Sequence, residues 1–192
     1  MKNHTFYILN LTVTEKSYFA EKGKLSDNQI EEEFAQGISF KKSDIEISLY
    51  KNRGNVRHII DNLFSLPIVS SLIMDVIKEK AEGFVEFYPV KVNMPTDLKF
   101  YFMNILQNID AFDYKLSKYD EYVKGLKVLK KIDKLVIKDK EVGNRHIFRL
   151  EGFKLEIVIS QDLKNDLKKL NLEELEFIPL DEFKWDTTSF VW

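Results

Sequence analysis

The chain has 192 residues, no cysteine, and 29 basic against 31 acidic residues, for a formal net charge of −2. That excludes disulfides, thiolate metal sites and cysteine nucleophiles, and the balanced charge argues against a nucleic-acid binder. With 44% hydrophobic residues and 15 phenylalanines the chain can fill a core, and its length predicts a single domain over residues 1–192, with the one candidate sub-division near 110–125.

Taken in order, residues 5–13 alternate well enough to predict a first strand, with a short apolar stretch that does not read as a signal peptide. Residues 14–44 are polar and weakly patterned, with Glu31, Glu32 and Glu33 reading as a solvated helix face. Ile45, Ile47 and Leu49 predict a strand over 45–50, closed by the turn cluster Lys51–Asn55. Pro67 precedes a helix: Leu72, Ile73, Val76 and Ile77 fall at helical spacing, Ser70 or Ser71 suits its start, and Gly83 suits its stop. Phe84–Asn93 and Leu98–Leu106 read as two strands joined by Met94-Pro95-Thr96-Asp97.

The stretch 114–140 carries two patterns. Tyr119, Val123, Leu126, Leu129 and Ile132 fit a helix, and Leu135 and Ile137 fit a strand, so a short helix followed by a strand near 131–138 is expected. Its nine lysines are interleaved with Asp120, Glu121, Asp133 and Asp139, the pattern of a solvated surface. A hairpin follows, 146–150 and 154–159 about Glu151-Gly152-Phe153; then comes a helix from Ser160 to about Leu170 and a strand Leu175–Pro179. The class predicted is α+β, with mostly antiparallel sheets and a few flanking helices. No run approaches the roughly 18–20 apolar residues of a membrane span.

Shifted by ninety residues, Pro67–Val90 overlays Ile157–Leu180 without a gap, with Ser70/Ser160, Lys78/Lys168, Glu86/Glu176, Phe87/Phe177 and Pro89/Pro179 identical. Either a helix-strand unit is pseudo-duplicated or two ordinary units have converged. A proline removes one donor from a ladder, so each Glu-Phe-x-Pro strand should lie at an edge or end there.

The sequence shows no nucleophile motif, metal cluster or phosphate loop. His4, His58 and His146 read as structural or solvent-facing. The polar constellation is Asn104, Asp110, Asp113 and Ser117, with Arg149 in an apolar strand. Such side chains satisfy backbone groups where strands turn, and a buried arginine pairs with a carboxylate; Asp110 or Asp113 is the partner expected. The alternative is a small ligand-binding or hydrolytic site using Asn104, Asp110, Asp113 and Arg149, which predicts that they converge in an open cavity.

Six segments, in order, carry a resemblance: Phe6-Tyr7-Ile8-Leu9; Asp61 with Pro67-Ile68-Val69-Ser70; Glu86-Phe87-Tyr88-Pro89-Val90; Tyr101–Leu106 running into Asp110, Asp113 and Ser117; Ile147-Phe148-Arg149-Leu150; and Phe177-Ile178-Pro179. Over roughly residues 5–180 the chain resembles a family of bacterial immunity proteins from polymorphic toxin systems. The resemblance implies a cytoplasmic, non-enzymatic protein without a cofactor that binds one cognate toxin, with no catalytic residues to carry over. Candidate contact residues are Glu173, Glu174, Asp181 and Glu182, a local acidic run, with Trp185 and Trp192 as aromatic anchors.

Overall fold

A computed structural model describes residues 6–12, 19–24, 34, 36–39, 47–53, 57–62, 66–93 and 96–187; for 19–24, 47–53 and 155 it describes the backbone alone. Most of the polar stretch 14–44 and the tail with Phe190 and Trp192 lie outside the described residues.

The elements are β1 (Phe6–Leu11), β2 (Phe19–Lys24), β3 (Ile47–Arg53), β4 (Ile59–Asn62), β5 (Ile68–Ser70), α1 (Ser71–Ala81), β6 (Val85–Asn93), β7 (Phe100–Ile105), β8 (Asn108–Ile109), β9 (Lys118–Glu121), β10 (Leu129–Lys134), α2 (Asp139–Val142), β11 (Ile147–Leu150), β12 (Phe153–Ser160), α3 (Gln161–Lys168), β13 (Leu175–Pro179) and β14 (Trp185–Asp186). They form a five-stranded sheet β13-β1-β12-β11-β8, a closed barrel β2-β3-β6-β7-β5-β4, and a three-stranded sheet β14-β10-β9. Most pairs are antiparallel; β2–β4, β3–β6 and β8–β11 are parallel.

The period-2 alternation of the strands divides the core into three. Tyr7 and Leu9 of β1, Met103 and Ile105 of β7, Val69 of β5, and Ile157 and Ile159 of β12 face one cluster, which α1 closes with Ile73, Ile77 and Ala81 and α3 with Leu163 and Leu167. The intervening residues of these strands point the other way. Phe6, Ile8 and Val158 join Phe112, Ile132, Phe148 and Phe183 under the three-stranded sheet. Ile68, Phe100 and Phe102 join Phe34, Ile60 and Tyr88 in the cluster of the barrel strands. Ile73, Ile77, Leu163 and Leu167 are each 0% exposed, so each contributes on the order of 2–3 kcal/mol of burial. The helices pack on each other, with Lys80 Nζ 3.2 Å from Asp166 Oδ2. Gly83 (φ +79°) turns the chain from α1 into β6, a conformation that glycine adopts without Cβ strain.

The ninety-residue echo recurs in the registers. In the barrel, β7 lies between β5 and β6, pairing Phe100 with Ser70, Tyr101 with Val69 and Pro89, and Asn104 with Glu86. In the five-stranded sheet, β1 lies between β12 and β13, pairing Phe6 with Ser160, Tyr7 with Ile159 and Pro179, and Asn10 with Glu176. The repeat therefore reaches beyond the helix-strand unit: β1 reads Phe-Tyr-Ile-Leu-Asn-Leu and β7 reads Phe-Tyr-Phe-Met-Asn-Ile. Each half of the chain opens on a Phe-Tyr-x-x-Asn strand, and that strand is seated in the sheet built by the other half.

The two prolines of the Glu-Phe-x-Pro strands differ in their places. Pro179 ends β13, an edge strand. Pro89 lies inside β6; among the described residues the β3–β6 ladder runs from Val90 to Asn93. One expected element is absent: 114–129 forms no helix. The chain makes β9, a turn and β10, because Tyr119 and Ile132 pair across a two-stranded ladder and pack inward on the Phe112 cluster. The strand expected near 131–138 is β10, two residues earlier at its start and ending at Lys134.

Candidate functional site

The polar constellation separates into two groups. Asn104 on β7 is 0% exposed; its Nδ2 donates to Ile38 O at 2.7 Å, and its Oδ1 has no partner among the described residues. Arg149 on β11 is 3% exposed; its Nη1 donates to Phe34 O at 3.4 Å and its guanidinium lies 3.9 Å from the Phe34 ring centroid. Both therefore hold the neighbouring residues Phe34 and Ile38 against the strands. Ser39 Oγ adds a bond to Glu86 Oε1 at 2.6 Å, while the other Glu86 oxygen accepts from the Tyr88 hydroxyl. Gly37 (φ +69°) lets the chain there run against β7, where a Cβ would come within 3.1 Å of Ile105 O.

Arg149 does not meet Asp110 or Asp113. The carboxylate that acts on it is Glu156, on the neighbouring strand β12. Burial pushes the Arg149 guanidinium down to about 10, against a smaller upward pull from Glu156. Burial likewise raises the Glu156 carboxyl, and Arg149 holds it back.

The second group stands at the foot of the β9–β10 hairpin. Asp113 Oδ1 accepts from Lys115 N at 2.9 Å and Leu116 N at 3.1 Å. Ser117 Oγ accepts from Val136 N at 3.0 Å and donates to Val136 O at 3.2 Å. These are bonds that fix a turn. Asp110 is exposed, with Lys138 Nζ at 3.6 Å. A groove of about 480 Å³ beside β1, β4 and β12 takes in Arg149 with Asn10, Asp61, Asn62 and Glu156; Asn104, Asp110 and Asp113 do not line it.

The acidic run also divides. Glu173 is exposed, 3.4 Å from Arg57 Nη1. Asp181 and Glu182 are exposed. Glu174, 6% exposed, turns inward, accepting from His58 N at 3.2 Å. Trp185, half-buried on β14, also turns inward, edge-on to Phe153 at 5.0 Å between ring centroids, and packs against the Phe112 cluster. Neither Glu174 nor Trp185 belongs to an exposed patch; Trp192 lies outside the described residues.

Sequence reasoning missed two features. His58 Nδ1 lies 2.9 Å from Ser70 Oγ, and His146 Nδ1 lies 2.7 Å from Ser160 Oγ. Each serine N–H donates to the carbonyl of the same histidine. The pairs occupy matching places in the two halves, where a strand passes into a helix. Ser70 is 0% exposed and Ser160 6%, so both hydroxyls are enclosed. Ser160 Oγ accepts from Leu163 N at 3.3 Å and caps α3, whereas Ser70 makes no such bond to α1. The signal in the sequence was weak, a histidine 12 residues before Ser70 and another 14 before Ser160. The second feature is the exposed tip of the β9–β10 hairpin, hidden by the helical reading of its aliphatics.

Among the described residues no group of three or more His, Asp or Glu is placed to hold a metal ion, and no helix is long and apolar enough to cross a membrane. Among the described residues the fold thus buries Asn104 and Arg149 inside strands and Asn62, Ser70 and Ser160 at strand ends. The chain belongs to an immunity protein family (Imm11), whose sequence model matches residues 6–182. No curated protein matches the chain.

Proposed function

We propose that this protein is a non-enzymatic inhibitor that binds a cognate bacterial toxin domain in the cytoplasm and neutralises it by covering it. The observation that carries this reading is the family match across residues 6–182. The arrangement of the polar residues supports it: Asn104 and Arg149 hold Ile38 and Phe34, Asp113 and Ser117 hold a turn, and Asp110 faces solvent. On this reading they are scaffolding, and the exposed acids Glu173, Asp181 and Glu182 remain candidates for contact. An inhibitor of a lethal enzyme needs nanomolar affinity, about −12 kcal/mol, which calls for an interface of roughly 1,600 Å² with a few anchors.

The test is to look for a toxin gene directly upstream of this chain's gene and to co-express the toxin domain it encodes. Survival of cells that die with the toxin alone, together with a stable one-to-one complex of the purified proteins, is the expected result. Survival without a complex, or a complex that leaves the toxin fully active, overturns the reading.

A further inference from the structure

The β9–β10 hairpin has the features of a docking element. Its tip places Tyr122, Val123, Leu126 and Val128 within seven residues at 57%, 55%, 64% and 52% exposure. Large apolar side chains this exposed are unfavourable in water unless something covers them. The tip is also fixed. Both oxygens of Glu121 accept from tip amides, Oε2 from Gly125 N at 2.6 Å and Oε1 from Lys127 N at 2.9 Å. Tyr122 N donates to Val128 O at 3.0 Å and Leu126 N to Val123 O at 3.1 Å. The Tyr122 hydroxyl donates to Thr187 Oγ1 at 2.8 Å, and Thr187 Oγ1 donates to Lys130 O at 3.1 Å. A carboxylate spent on holding a loop in one shape lowers the entropic cost of docking that loop.

The charge around the tip selects the partner. From Lys115 to Lys134 the chain carries seven lysines against Asp120, Glu121 and Asp133. Glu121 is engaged with the tip amides, and Asp133 lies 2.7 Å from Lys131. Lys124 and Lys130 are exposed and face no carboxylate at ion-pair distance among the described residues. An apolar knob flanked in sequence by these two lysines complements an apolar pocket rimmed by carboxylates.

The geometry points to the β9–β10 hairpin as the element that enters the toxin domain, seating Val123 and Leu126 in an apolar pocket with an acidic rim. This rests on the reading that the partner is a toxin domain. The sign is opposite to that required by a docking surface at Glu173, Asp181 and Glu182, which needs a basic partner.

The experiment measures binding of the full chain to a catalytically inactive variant of the toxin domain that the upstream gene encodes. The variants are Leu126→Asp, Lys124→Glu with Lys130→Glu, and Asp181→Lys with Glu182→Lys. Leu126→Asp should weaken the complex at least about 30-fold, the mark of an anchor residue, with an unchanged melting temperature. The lysine pair variant should slow association about tenfold at low salt, the difference closing near 1 M salt. Should Leu126→Asp lower the melting temperature, Leu126→Ala and the lysine pair decide the matter. Binding at wild-type strength by the hairpin variants, or loss confined to Asp181→Lys with Glu182→Lys, overturns the hairpin assignment and leaves the toxin reading standing. Failure of the wild-type chain to bind overturns both. A membrane role is tested with phosphatidylglycerol vesicles: wild-type binding that Leu126→Asp abolishes, with toxin affinity unchanged, also overturns the assignment.

Discussion

Arg149 shows how a single side chain can hold distant parts of a fold. It anchors the Phe34 carbonyl and ring from β11, and among the described residues the carboxylate that acts on its charge is Glu156. Burying an ion is costly unless its partner stays. Arg149→Met keeps the length and apolar stem but leaves Glu156 with burial alone acting on it. Its folded pKa, already raised with Arg149 present, then rises further above the unfolded value. Between those two values the folded state binds more protons than the unfolded, so stability falls as pH rises through that window. Urea unfolding of Arg149→Met should therefore show a loss of about 3 kcal/mol at pH 7.5 and a smaller loss near pH 4.5. An equal loss at both pH values refutes the dependence on Glu156.

At the scale of elements, α1 and α3 cross-link the halves. Lys80 of α1 and Lys169, just past α3, both reach Asp166, at 3.2 and 2.5 Å. Hydrogen bonds from Lys169 first and Lys80 second hold the Asp166 carboxyl below its ordinary value of 3.8. A depressed carboxyl adds stability above its unfolded pKa and loses it as pH falls through the folded one. The site is solvent-accessible, so Asp166→Asn should cost only about 0.5 kcal/mol at pH 7, and the difference should vanish in thermal melts as pH falls through the depressed folded-state pKa. Most of these elements were legible from sequence: Ile73 and Ile77 on one face announce α1, and Leu163 and Leu167 announce α3, because one stripe of each must be buried. The 114–129 region was not. Tyr119, Leu129 and Ile132 are buried or half-buried on a strand ladder, while Val123 and Leu126 sit outside at a turn, so a helical spacing arose from residues with two different fates. Arg149 looked like a partner for Asp110 or Asp113, and the sequence offered no way to rank Glu156 above them, because pairing across β11 and β12 is set by register.

For the whole molecule, the governing fact is the exchange of opening strands. β1 belongs in sequence to the half ending with β6, yet it completes the sheet of β12 and β13; β7 belongs to the later half, yet it completes the sheet of β5 and β6. We propose that the two halves are one folding unit. Fragments 1–93 and 94–192, each expressed alone, should lack a cooperative thermal transition, and mixed after joint refolding they should recover one. A cooperative transition in either fragment alone would show independent domains. The exchange also has a bearing on how the molecule is made. When β1 leaves the ribosome its flanking strands do not yet exist, since β12 begins only at Phe153; at ~5–20 residues per second the wait is roughly 7–30 s. Throughout that interval Phe6, Tyr7, Ile8 and Leu9, all buried in the finished protein, have no seat, so a translation product cut short before β12 leaves them bare.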